Sequence, residues 1–250
     1  MRKLIGVIFG LISLTMAAVL VVPSFIDWNN YKDDLTRRVK EMTGRDLAIN
    51  GNIRIAVLPA PALVVSDVSL ANPDGATARH MVTLKSAEIR VALGPLLGGQ
   101  VKVETLKLIE PVIHLERLSD GSANWAFRAM KRAAGGDANP TALGATNDGL
   151  SVAPPIAFDN LTIENATLIY RDSVSGVIEQ VEKLNAQIAA ASLQGPMKTS
   201  GTATVRSVPL TFELNVGEII RDRTVPFKLR AGVATGSVTA QVGGTLVNLN

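Results

Sequence analysis

Hydrophobic positions change their spacing twice along this chain, and each change marks a different kind of element. Leu4 to Ile26 form a 23-residue run without a charge, preceded only by Met1, Arg2 and Lys3. About 20 apolar residues span a bilayer core, so the run predicts a transmembrane anchor. It continues through Val19, Leu20, Val21 and Val22 with no A-x-A site, which favours an uncleaved anchor over a secretory signal. Trp28, Tyr31, Leu35, Val39 and Met42 then recur every three or four positions, the spacing of an amphipathic helix, with Asp27 as N-cap and Gly44 just past its end. After Gly44 the period falls to two. Leu47, Ile49, Gly51, Ile53, Ile55 and Val57 alternate with mostly polar positions, as do Ala87, Ile89, Val91 and Leu93, and Val208, Leu210, Phe212, Leu214 and Val216. Weaker runs cover 64–70, 101–109, 112–117, 161–170, 186–193, 201–206, 225–231 and 237–247. Turn signals such as Asn72-Pro73-Asp74-Gly75 and Asp120-Gly121 separate many of them, so the pattern predicts a mainly β, antiparallel body.

Residues 133–155 are rich in Gly, Ala, Asn, Thr and Pro, carry no apolar period and read as a flexible linker. The chain therefore divides into a tip (1–3), an anchor (4–26), a helix plus β unit (27–132), the linker (133–155) and a second β unit (156–250) that stops inside a strand pattern. Arg2 and Lys3 put the tip in the cytoplasm by the positive-inside bias, and the main body on the other side of the membrane. Trp28 and Tyr31 then fall at headgroup level, where amphipathic rings are favoured, although packing of the helix on the sheet would use the same residues.

Composition narrows the chemistry. With 25 basic and 22 acidic residues the net charge is only +3, and no Lys/Arg block is long enough to track phosphates, so nucleic acid is not an expected partner. There is no cysteine, which excludes disulfides and thiolate metal sites. His80 and His114 are the two histidines; His114 with Glu116 on one strand makes two ligands, and no third stands out. Neither a phosphate-binding G-x-x-x-x-G-K-[ST] loop nor a G-x-S-x-G elbow is present. The chain reads as non-enzymatic, with no cofactor and no metal; an enzymatic reading would have to run through His114 or Asp120.

One-faced strands must hide their apolar side. With a single amphipathic helix available, the cover is a second sheet, which periodicity by itself favours, or something that is not protein. Aromatic residues are only 4% of the chain, and the smooth aliphatic faces of Ile, Leu and Val suit acyl chains as well as a core.

A set of short motifs decides between these. Thr43-Gly44-Arg45-Asp46-Leu47 leads into Ile49-Asn50-Gly51, followed by Pro59-Ala60-Pro61, Val65-Ser66-Asp67-Val68-Ser69-Leu70-Ala71-Asn72 and Gly94-Pro95-Leu96-Leu97-Gly98-Gly99. Pro111-Val112-Ile113-His114-Leu115-Glu116-Arg117 and Asp120-Gly121-Ser122-Ala123-Asn124-Trp125 come next, the last readable as a turn leading to a buried Trp. Beyond the linker stand Tyr170-Arg171-Asp172 and Ser192-Leu193-Gln194-Gly195-Pro196. In this order, behind an N-terminal anchor, they resemble the AsmA family of envelope proteins of Gram-negative bacteria. The resemblance implies an inner-membrane anchor, a periplasmic body and a curved, repeating β-groove that supports the outer envelope by conducting phospholipid. Family members are usually much longer. Combined with the aliphatic strand faces, this leads to an expected lipid-binding face of Ile53, Ile55, Ile89, Val91, Leu210, Phe212 and Leu214, with Trp28 and Tyr31 at the membrane interface. Membrane lipids are then the expected partners. The rival expectation is an assembly factor for outer-membrane proteins that pairs a strand edge with its client through outward residues such as Thr211 and Glu213.

Overall fold

The computed structural model describes residues 27–56, 61–92, 94–95, 102–127, 158–190, 195–218, 224–234, 236 and 238–246. The predicted anchor at 4–26 and the whole of the linker region, 133–155, lie outside them. Among the described residues no helix is long and apolar enough to cross a membrane.

Asp27 accepts a hydrogen bond from the Asn29 amide at 3.0 Å and opens a 3-10 turn, Trp28–Tyr31. The turn runs into one α-helix, α1 (Lys32–Thr43), with Asp33 and Asp34 at its positive end and Lys40 in its last turn. Gly44 closes it at φ 74°, a left-handed conformation that glycine adopts without strain. Both predicted caps are where the sequence puts them.

The described strands all belong to one open sheet of twelve: β1 (Leu47–Ile49), β2 (Ile53–Ala56), β3 (Ala62–Ala71), β4 (His80–Val91), β5 (Val103–Ile109), β6 (Val112–Arg117), β7 (Phe158–Asp172), β8 (Ile178–Ala190), β9 (Met197–Val205), β10 (Val208–Val216), β11 (Val225–Val233) and β12 (Thr239–Leu246). The spatial order is β1-β3-β4-β5-β7-β8-β9-β10-β11-β12, with β2 also on β3, and β6 between β4 and β7. Strands before and after the linker region thus share one sheet.

Two expectations are corrected. The sheet is not wholly antiparallel: β7 runs parallel to β5 and β6. A parallel neighbour needs a long crossover, and the stretch from 118 to 157 supplies it. The alternation from Leu47 to Val57 is not one strand either. It divides at Asn50-Gly51-Asn52 into β1 and β2, both paired to β3. A Cβ on Gly51 would stand 2.6 Å from the Ser66 carbonyl oxygen, so only glycine lets the two backbones approach this closely.

A line of kinks crosses the sheet. Asp67, Glu110, Asn165 and Lys183 have φ of 51°, 49°, 51° and 48°. Asp67 and Lys183 lie within β3 and β8, Asn165 within β7, and Glu110 between β5 and β6. In each case the apolar positions change parity across the kink, from Leu63 and Val65 to Val68 and Leu70 in β3, and from Leu161 and Ile163 to Leu168 in β7.

Candidate functional site

Directly paired residues in neighbouring strands point to the same side of a sheet, so the register shows which side chains share a face. One row runs Ile55, Leu63, Ile89, Leu106, Leu161, Ile188, Thr199, Leu214, Leu229, Val242, through ten strands. Beside it runs Ile53, Val65, Ala87, Leu108, Ile163, Ala186, Gly201, Phe212, Ala231, Ala240. Beyond the kinks a third row joins Leu47, Leu70, Val82, Ile113, Leu168, Val181, Val205 and Val208. Strand β9 is unkinked and carries Thr199, Gly201 and Val205 at alternate positions, which puts all three rows on one face. The parity change at each kink is therefore what keeps the apolar residues together. On the opposite face the equivalent row is Arg54, Val64, Glu88, Lys107, Thr162, Gln187, Ser200, Glu213, Arg230 and Gln241.

The structure brings six of the seven expected face residues into these rows or onto their side. Ile53, Ile55, Ile89, Phe212 and Leu214 stand in the two long rows, and Leu210 pairs with Ala203 on the same side. Val91 pairs with Val103 past a bulge at the end of β4, and Val103 alternates with Thr105 rather than with Leu106, so the register does not carry Val91 into the rows. Sequence reasoning missed Leu63, Leu106, Leu161, Ile188 and Leu229. Their strands were legible as weak alternations; in β3, β7 and β8 the mid-strand parity change hides which residues are in phase, and for Leu106 and Leu229 only the register with neighbouring strands assigns the face.

Among the described residues no second layer packs on the aliphatic face: every closely contacting pair of described elements consists of sheet neighbours or of the helical segment and the strands β1 and β2. Leu63, Leu106, Leu161, Ile188, Phe212, Leu214 and Leu229 are all half-buried, whereas Glu213, Gln187 and Arg230 on the other side are exposed. Trp28 and Tyr31 stack with ring centroids 5.5 Å apart. The Ile53 amide donates to Asn29 Oδ1 at 3.0 Å, so this aromatic pair is pinned at the β2 edge, where the long rows begin.

A buried polar knot holds the far corner. Asn124, fully buried, accepts from the Glu116 amide at 3.0 Å and donates through Nδ2 to Asn72 Oδ1 and the His114 carbonyl, both at 2.8 Å. Glu116, 3% exposed, accepts from the Thr77 amide (2.8 Å), the Thr77 hydroxyl (2.7 Å) and the Ser173 hydroxyl (2.9 Å). Burial pushes the Glu116 carboxyl up, but these hydrogen bonds and the nearby Arg171 outweigh it and hold the group below its usual 4.5. Arg45 at the end of α1 reaches the Asn124 carbonyl at 3.2 Å. The buried member of Asp120–Trp125 is thus Asn124; the alternative reading of the motif as a turn leading to a buried Trp does not hold, since Trp125 is 37% exposed and lies 6.4 Å from the Tyr170 ring. Glu116 is committed to this knot through its carboxylate and His114 through its backbone carbonyl, and Asp120 caps its own turn by accepting from the Ser122 amide at 2.8 Å. Among the described residues no three His, Asp or Glu side chains form a metal-sized cluster.

The AsmA family model matches residues 1–243. The AsmA family protein YhjG of Escherichia coli (strain K12) is 27% identical over 137 residues, a stretch covering 50% of this chain and 20% of that protein. No solved structure matches the chain. With the family model extending over nearly all of its length, the chain belongs to the AsmA family.

Proposed function

We propose that this protein is anchored in the inner membrane, projects into the periplasm, and supports the outer envelope by holding phospholipid acyl chains along its aliphatic face. The observation that carries this is the continuity of the rows: aliphatic side chains follow one another from β2 to β12 without a break wider than Thr199 or Gly201. A 16-carbon chain costs on the order of 13 kcal/mol to expose to water, at about 0.8 kcal/mol per CH₂. A continuous apolar strip lowers that cost at each position along the path. The path runs across the strands, about 4.8 Å per step and roughly 43 Å over ten strands. The kinks give the sheet the means to curve into a groove around an acyl chain. Trp28 and Tyr31 mark the entrance, because their turn is bonded to Ile53 through Asn29 and directly follows the apolar anchor sequence.

A photo-crosslinking residue placed in cells at Phe212, and separately at Glu213, tests the reading, with products identified by mass spectrometry. Lipid adducts from Phe212 and none from Glu213 are expected. Protein adducts from Glu213, with no lipid at either position, would replace lipid conduction by a scaffold for outer-membrane proteins.

A further inference from the structure

The polar face of the same sheet has relief of its own. Three adjoining depressions of about 530, 410 and 220 Å³ run from Thr105 on β5 to Thr239 on β12 and share Ser200. Together they form a trough across seven strands, roughly 30 Å at about 4.8 Å per strand. A twisted sheet is saddle-shaped, so each of its faces is hollow along one diagonal.

The lining of the trough mixes charged side chains, Glu164, Lys198, Glu213 and Arg230, with a set of neutral ones. Away from it, long charged side chains are paired, Arg90 with Glu88 at 2.7 Å and Lys85 with Glu110 at 2.9 Å. Inside it, Asn160, Thr162, Gln187, Ser200 and Asn215 are neutral, and none of their side chains hydrogen-bonds within the described structure. Their amides and hydroxyls supply both donors and acceptors, repeated at the strand spacing.

We infer that this trough binds an extended, neutral, hydroxyl-rich polymer, a glycan strand. A hollow of this length and shallowness is unsuited to a single sugar. Lys198 and Arg230 offset Glu164 and Glu213 within it, which leaves no net charge to select a polyanion. Sugar hydroxyls act as donor and acceptor at once, and the uncommitted Thr, Ser, Asn and Gln side chains match that demand without a charge. The site faces away from the aliphatic rows and does not depend on the lipid reading.

The full-length protein in lipid nanodiscs can be titrated calorimetrically with chito-oligosaccharides of increasing length and, separately, with dextran sulfate. Affinity for the neutral oligomers should rise with length until the trough is filled. The double variant Gln187→Ala/Asn215→Ala, which removes exposed side chains that hydrogen-bond nothing in the fold, should weaken it about tenfold. Leu229→Ala on the opposite face should leave it unchanged. Failure of every neutral oligomer to bind, affinity independent of length, preference for the sulfated polymer, or indifference to the double variant would each overturn the assignment.

Discussion

In β9–β12 each strand pairs only with strands adjacent to it in sequence, and no residue inside those strands has a positive φ. In β3–β8 the same sheet is kinked at Asp67, Glu110, Asn165 and Lys183, receives the parallel strand β7, and is tied at its corner by Asn124 and Glu116. Stability in the regular part is spread over many equivalent ladder pairs. In the kinked part it concentrates on a few buried polar groups that cannot be satisfied in any other way. The aliphatic face is continuous across both, so two different backbone solutions serve one surface.

The widest separation between the two parts should come from Asn124→Ala. It strands the buried Glu116 amide and the partners of Nδ2, and should cost about 3 kcal/mol in denaturant unfolding. A loss below about 1 kcal/mol would end the claim that the corner is held at single residues. Gly201→Ala probes where the kinked and regular parts meet. Its Cβ would fall 2.0 Å from the Asn185 carbonyl oxygen at the β8 irregularity, and about 2 kcal/mol of overpacking strain is expected by thermal melting. Glu116 adds a pH signature. Its folded carboxyl titrates below the usual 4.5, so its contribution is complete above that pH and is lost as pH falls through the folded value. The melting temperature should drop on acidification below 4.5, and Glu116→Gln should remove that part of the drop.

In the regular part the expected effects on stability are smaller. Leu210→Asp with Leu214→Asp should cost under about 1 kcal/mol, because both are half-buried with no second layer over them among the described residues, while lipid adducts at Phe212 disappear. Unfolding of this variant would mean that the face is a protein core. Smallest of all, Lys85→Ala removes an exposed ion pair with Glu110 and should change unfolding by about 0.5 kcal/mol or less.

The difference between the two parts also explains what could be read from the chain. Leu210, Phe212 and Leu214 were legible because β10 alternates without interruption, and the Asp27 and Gly44 caps because capping is decided within a turn. The β3 and β7 contributions were blurred because Asp67 and Asn165 shift the parity midway, so a strand whose apolar residues all face one way looks out of phase on paper. Asn124 gave a signal only as part of Asp120–Trp125, where the conspicuous aromatic drew the reading one residue too far.

By itself, then, the sequence determined the local elements: a charge-free first segment, one capped amphipathic helix, and strands whose side chains alternate between two chemistries. These depend on interactions within a few residues, where period and capping act. Only the tertiary structure decided that Leu106 stands beside Leu161, that β7 enters parallel to β5, and that rows from ten strands join into one aliphatic strip. Those outcomes depend on hydrogen bonds between residues far apart in the chain. A register shifted by one position would turn the same side chains to opposite faces, and no local pattern encodes which register is made.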